Sequence, residues 1–377
     1  MYTTLTAAAL RKSIGLPDDY VVDGLLASGT CDLYTHNHHL PSFMQALDTL
    51  GVETTVKRIT SEHIGHAFEF IVAGKRYWFG LDFAATARHR EAAHKNYVAE
   101  NARAMHQANQ LIGKPDLVIT DYEPVCAQYA YAFGAPLVTI DQQSKYLSGE
   151  FPKVLAGTGF ADEVMRLRMF FPLADCRIAC SFFTVPQRAG GMDVTIVPPV
   201  LRHELVRSKA KRQPNPKSIL VYQSAQSGFT QSLAQIMPIL GHKKGYTFHV
   251  FAPASQNLPL KQPANVIFYA HGAREFGPIL RDCAGIISTA GHTLLSEAMY
   301  LGIPVYALPL ALYEQQMNAE VLQQHGFGLK ADTITAANLD TFLASMPDFA
   351  QHIEHDTTVL LRTNGFPIIS SLITARL

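Results

Sequence analysis

The chain has 377 residues, 48% hydrophobic and 16% charged, which is enough for two domains with ample core. Its 31 basic and 31 acidic residues cancel, which excludes a general electrostatic pull toward nucleic acid. No apolar run has the length of a bilayer span, and five widely spaced cysteines argue against a disulfide framework and for a reducing cytoplasm.

Residues 1–12 lack a basic region followed by a long apolar core and read as a short amphipathic helix, which leaves peripheral membrane contact open. Beyond them, strand-like runs alternate with helical ones. In the first half, strands are expected at 20–26, 53–58, 117–120, 137–140, 177–181 and 195–197. Helices are expected at 40–50, 84–111, 125–133 and 162–170, and residues 68–79 read as a hairpin turning at Gly74. This alternation predicts α/β architecture with parallel sheets.

After Pro198-Pro199, a polar segment is punctuated by Arg202, Arg207, Lys209, Lys211, Arg212 and Lys217. Its composition predicts a linker over 201–217, separating an N-terminal domain, 1–200, from a C-terminal domain, 218–377. The second domain repeats the alternation, with strands at 219–222, 247–251, 266–269, 285–288 and 305–308.

Residues 285–319 carry the most chemistry. They predict a buried strand, a tight turn at Gly291, a helix over 293–301, another strand, and a second helix bearing Glu314 and Gln315. The first helical amides, at His292 to Leu294, have no partners within the helix, and with the helix dipole they form an anion site. Glu297 lies one turn along, and its carboxylate leans back toward whatever is attached to that anion, such as a ribose diol. Glu314 and Gln315 can hydrogen-bond a further polyhydroxylated group.

Strand, glycine turn and helix recur in every doubly wound protein. The ordered set Gly291, Glu297, Gly302-Ile303-Pro304, Pro309, Glu314-Gln315 and Asn318-Ala319 is far more specific. It resembles the donor-binding signature of GT-B glycosyltransferases, including plant-type and macrolide-type uridine-diphosphate-sugar enzymes and the N-acetylglucosaminyltransferase of peptidoglycan synthesis.

The resemblance implies an α/β, GT-B architecture: two Rossmann-like domains with parallel sheets facing an interdomain cleft, and a last helix that crosses back to the first domain. It implies a hexosyl transfer from a nucleotide diphosphate donor, UDP-linked, to a hydroxyl acceptor, with inversion and with neither metal nor cofactor. Carried onto this chain, the donor contacts are Ser224 in the loop 223–228, His271 near the nucleobase, and Thr289, Gly291, His292 and Thr293 around the phosphates. Glu297 then holds the ribose, and Glu314 and Gln315 hold the sugar.

For catalysis, the family places a base in the first loop, and His38 with Pro41 reproduces a His-x-x-Pro spacing there. Asp121, ending the run 115–121, matches the aspartate paired to that histidine; such a dyad is worth roughly 10²- to 10⁴-fold in rate. His36, His39 and Glu123 stay open as alternative bases, and the usual glycine-rich first turn is replaced by residues 29–35.

Other patterns are weaker. Gly157-Thr158-Gly159 lacks the third glycine of a dinucleotide loop, and the 16 histidines show no cysteine or carboxylate pattern for a metal. Two rival functions share the fold: a nucleotide-sugar 2-epimerase, whose arginine- and glutamate-rich stretch is missing at 313–318, and a non-catalytic nucleotide-sugar binder. Acceptor choice depends on first-domain loops 60–87 and 142–160.

Overall fold

The computed structural model describes residues 3–4, 24–28, 30–34, 53–55, 57–58, 69–72, 75–78, 105–106 and 108–110. From Gly113 onward it describes all but 123, 153, 156–157, 224–230, 253–261, 311 and 377. The chain divides into two compact units. The first comprises Met1–Cys180, Val185–Arg202 and Gly365–Leu377, and the second Ser181–Thr184 and His203–Asn364.

The first unit is built on a seven-stranded sheet: β1 (Gly24–Ser28), β2 (Thr30–Tyr34), β3 (Glu53–Thr55), β4 (Leu117–Thr120), β5 (Leu137–Asp141), β6 (Cys176–Cys180) and β7 (Thr195–Val197). Their order is β7-β6-β5-β4-β1-β2-β3. Strands β4 to β7 are parallel neighbours, and β4 is buried at every position, as expected of strands covered on both faces. Helices α1 (Pro124–Phe133), α2 (Lys145–Ser148) and α3 (Phe160–Phe170) alternate with these strands.

Two local expectations are corrected here. Residues 30–34 are strand β2 rather than loop: Thr30, Leu33 and Tyr34 favour extended backbone, and the segment pairs antiparallel with β1 around Gly29. Strand β1 runs against both of its neighbours in an otherwise parallel sheet. Thr3–Thr4 is likewise strand, not helix, pairing with Lys57–Arg58. The hairpin 68–79 forms as Glu69–Val72 against Lys75–Trp78, with a register that brackets Gly74. The expected helix 40–50 lies outside the described residues, as does that over 84–111 apart from helical residues at 105–106 and 108–110.

The chain ends in this unit. In α10 (Phe366–Thr374), Ile369 and Ile373 pack with Leu117, Ile119, Val138, Ile140, Ile178 and Val197 from the sheet.

The second unit carries six parallel strands: β8 (Asn215–Tyr222), β9 (Thr247–Ala252), β10 (Val266–Ala270), β11 (Cys283–Ser288), β12 (Val305–Ala307) and β13 (Gly328–Lys330). Their order is β10-β9-β8-β11-β12-β13. Counted within the unit this is 3-2-1-4-5-6, so the winding direction reverses between β8 and β11, and a crevice opens outside their carboxyl ends. Helices α5 (Leu233–Gly241), α6 (Phe276–Asp282), α7 (His292–Leu301), α8 (Tyr313–Gln324) and α9 (Ala336–His355) cover the sheet. Its core joins Ile219, Val250, Ile287 and Tyr306 to Ile236 and Leu240 of α5 and to Phe342 and Met346 of α9.

Residues 203–217, expected as linker, instead hold α4 (His203–Ser208), a 3-10 turn at Lys209–Lys211 and the outer end of β8. Arg212 Nε and Nη2 donate to the carbonyls of Arg281 at 2.8 Å and Cys283 at 3.1 Å, satisfying the carboxyl end of α6. Lys209 Nζ lies 3.9 Å above the ring of Tyr300. Two of the basic residues that make this segment look like solvated linker, Lys209 and Arg212, are therefore bound to the second unit. No helix among the described residues is long and apolar enough to cross a membrane.

Candidate functional site

The switch point of the second unit gathers the donor-side residues. Tyr222 ends β8 and pairs in register with Ser288, which ends β11. Beyond Ser288 the chain turns through Thr289, Ala290 and Gly291 into α7. The left-handed position of this turn is Ala290, with φ of 63°. Gly291 is the N-cap, with an extended backbone, and a Cβ built on it would meet nothing within 4 Å among the described residues. Neither backbone angle nor packing therefore demands glycine at 291. What remains is room for something to approach the backbone closely.

Helix α7 is fixed from both ends. It buries Leu294, Leu295, Ala298 and Met299, and it closes on Gly302 in the left-handed region, whose amide donates to Met299 at 3.2 Å. Each large apolar side chain on that face contributes about 1.5–3 kcal/mol. Gly291 has no side chain to cap the helix. Instead the His292 amide donates to Glu314 Oε1 of α8 at 3.2 Å. Asn318 Nδ2 donates to the Ala290 carbonyl at 3.0 Å and lies 3.4 Å from the same Glu314 oxygen.

Thr289, His292 and Glu297 are buried, with Glu297 only 1% exposed, whereas Thr293 is exposed. Gln315 faces back along its own loop: its Oε1 accepts from Leu310 N at 2.9 Å, while Gln316 Nε2 donates to the Leu310 carbonyl at 3.0 Å. His271 stacks on Tyr222 with ring centroids 5.0 Å apart and 15° between planes, and its amide donates to Ala252. Ser224 lies outside the described residues. Of the expected donor residues, then, Thr289, Gly291, His292, Thr293, Glu297, Glu314 and Gln315 line one turn and its two flanking helices. His271, directly after β10, stacks on Tyr222 at the end of β8.

In the first unit, Asp121 follows β4 directly and Asp141 is the last residue of β5, so both carboxyl groups leave the sheet at its carboxyl edge. Burial, and then the facing charge of Asp141, push the Asp121 carboxyl up to about 7. Asp141 is itself raised by burial, although its two oxygens accept from Ser144 N at 2.6 Å and Ser144 Oγ at 2.8 Å. Burial and these two carboxylates also push the Cys180 thiol up to about 12, while Lys145, fully buried in α2, pulls it the other way. The result is a buried carboxyl pair at the edge of the sheet. The other expected catalytic residue, His38, lies outside the described residues, as do His36, His39 and Glu123.

Two residues of these clusters were not singled out for a role in the sequence. Asp141 had a readable signal: Leu-Val-Thr-Ile-Asp141 repeats the form of Leu-Val-Ile-Thr-Asp121, a buried strand ending in a carboxylate. Asn318 had none for its contact with Ala290, 28 positions away. Among the described residues, no group of three or more histidine, cysteine, aspartate or glutamate side chains is arranged to hold a metal ion.

The profile described as glycosyl transferase family 1 matches residues 33–347. Solved glycosyltransferases share the fold. The glycosyltransferase of kitacinnamycin aligns with a TM-score of 0.55 at 14% identity, over 89% of this chain and 90% of that chain. The spinosyn forosaminyltransferase SpnP aligns at 0.52 and 17% identity, over 93% and 98%. Os79 from O. sativa, solved in complex with UDP, aligns at 0.55 and 12% identity, over 74% and 83%. At these identities the likeness is one of fold. No curated protein sequence matches the chain.

Proposed function

The chain belongs to glycosyl transferase family 1, and from that premise we propose that it moves a sugar from a uridine-diphosphate donor to a hydroxyl acceptor by direct displacement, with inversion. It is a glycosyltransferase of the GT-B fold; the donor base, the stereochemistry and the residue roles below are our reading. The observation that carries it is the α7 N-terminus at the switch point, preceded by a glycine that the fold itself does not require.

In this reading the amides from Gly291 to Thr293 take the leaving diphosphate. Aligned donors at the positive end of a helix neutralise the charge that develops on the leaving group, so a divalent cation is not needed for that task. Removing one such donor costs about 10²- to 10³-fold in rate elsewhere. Thr289 and Ser224 flank the phosphates, Glu297 holds the ribose, and Glu314 and Gln315 reach the sugar. His271, stacked on Tyr222, borders the nucleobase. The UDP in the Os79 structure supports uridine as the base.

His38, oriented by Asp121, takes the proton of the acceptor hydroxyl as the bond to the anomeric carbon forms. The orienting role needs the Asp121 carboxylate ionised, and since burial raises that group to about 7, transfer is expected to rise as pH passes that value. The free cysteines Cys126, Cys176, Cys180 and Cys283 fit a reducing cytoplasm.

A thermal-shift screen against nucleoside diphosphates and their sugars tests the proposal. Selective stabilisation by one uridine diphosphate sugar is the expected result. A flat response to every nucleoside diphosphate would sink it.

A further inference from the structure

Glu314 stands where the donor diphosphate is proposed to bind. We propose that Glu314 is an internal anion that occupies the His292 amide in the donor-free enzyme and is displaced onto the donor sugar when the diphosphate arrives. The inference rests on the reading that the α7 N-terminus takes the diphosphate, and it goes beyond it by giving one residue two positions.

A glycine N-cap leaves α7 without a local acceptor for its first amides, and an anion is favoured there by the helix dipole. The chain supplies one from the neighbouring helix, 22 residues on, through Glu314 Oε1. Two anions cannot share one amide at contact distance, so carboxylate and diphosphate occupancy exclude each other.

The carboxylate is held loosely. Its contacts, 3.2 Å to the His292 amide and 3.4 Å to Asn318 Nδ2, exceed the roughly 2.7–2.9 Å of strong charge-assisted hydrogen bonds. Asn318 does not depend on it, because its Nδ2 also donates to the Ala290 carbonyl at 3.0 Å, so the turn keeps its anchor when Glu314 leaves. Oδ1 of the fully buried Asn318 has no hydrogen-bond partner among the described residues, which leaves an acceptor beside the same turn for a donor hydroxyl. Gln315 is not suited to the exchange, since its carbonyl is committed to the Leu310 amide at 2.9 Å. Glu314 is thus the mobile member of the pair and Gln315 the fixed one.

The consequence runs against the usual effect of mutating a ligand-contacting residue. Removing the charge of Glu314 removes a competitor, so diphosphate binding tightens. Calorimetric titration with UDP is expected to give an affinity about 3- to 10-fold higher for Glu314→Gln than for wild type, with uridine, which has no phosphate, unchanged. Glu314→Ala is expected to move in the same direction and covers the case in which the glutamine variant folds poorly; melting curves establish that each variant is folded. Unchanged or weaker UDP binding in folded variants overturns the displacement while leaving the diphosphate site standing. Absence of UDP binding and of any other nucleoside diphosphate binding in the wild type removes the donor reading itself, and the displacement with it.

Discussion

The side-chain amide of Asn318 donates to the backbone carbonyl of Ala290 at 3.0 Å, so helix α8 holds the one left-handed residue of the turn that aims α7. An L-residue pays roughly 1–2 kcal/mol for that conformation, and the turn persists because its neighbours hold it. Asn318→Ala leaves a buried carbonyl without its partner and is expected to cost about 1–3 kcal/mol. It is also expected to weaken UDP binding about 10-fold as the first amides of α7 lose their aim. Melting curves and UDP titration check both; an unaltered Tm would show that the bond contributes little.

Gly291→Ala separates fold from function. The backbone angles at 291 suit any residue and the added methyl meets nothing among the described residues, so stability is expected to change by less than about 1 kcal/mol. A methyl that projects into the diphosphate position should nonetheless lower UDP affinity about 10-fold or more. Lost stability with intact binding would invert this assignment.

The raised Asp121 carboxyl carries a stability signature. Its folded value, about 7, lies above that of an unfolded aspartate, near 3.8, so the native state binds more protons than the unfolded chain between those limits. Stability contributed by this group is therefore full below pH 4 and declines as pH rises toward 7. Asp121→Asn removes the penalty. It is expected to melt above wild type at pH 8 and level with it near pH 4, while transfer falls about 10²- to 10⁴-fold above pH 7, where the wild-type carboxylate is ionised, and by less below it. A variant that melts below wild type at pH 8 would show that Asp121 is ionised and well satisfied.

Asp141 is the second cause of that shift, and its charge can be removed without touching Asp121. In Asp141→Asn the Asp121 carboxyl should titrate at lower pH than in wild type, followed by carboxyl-carbon NMR. An upward move would mean that the Ser144 contacts of Asp141, at 2.6 and 2.8 Å, matter more to the local structure than its charge does.

Arg362 supplies a control remote from the donor turn. Its Nε donates to Met299 at the carboxyl end of α7 at 3.0 Å, and Nη1 donates to Ile353 at 2.6 Å near the end of α9. Arg362→Ala is expected to cost about 2 kcal/mol, and lysine should not restore it, because a point charge does not span two helix ends. UDP affinity in the folded variant should stay within about 2-fold of wild type; a larger loss would tie this clamp to the site.

Much of the architecture was legible. The largely buried runs at β4, β5, β8, β9, β11 and β12 stand out as apolar stretches, and the turn-to-helix step at Gly291 follows from cap chemistry. The β1–β2 hairpin was not, because residues 30–34 mix a glycine-flanked start with an aspartate and read as loop. The segment 203–217 misled for a related reason: exposed lysine and arginine look the same in sequence whether they meet water or, like Arg212, a helix end.

The sequence by itself determined the element types, their order and the residues of the donor turn, because hydrophobic period, capping and turn chemistry act over a few positions. Only the tertiary structure decided that Tyr222 lies beside Ser288, that Asp141 faces Asp121, and that Glu314 and Asn318 reach back to His292 and Ala290. Those choices depend on strand order and on helix packing across 22 and 28 residues of chain, distances over which spacing along the sequence carries no information about which polar groups meet.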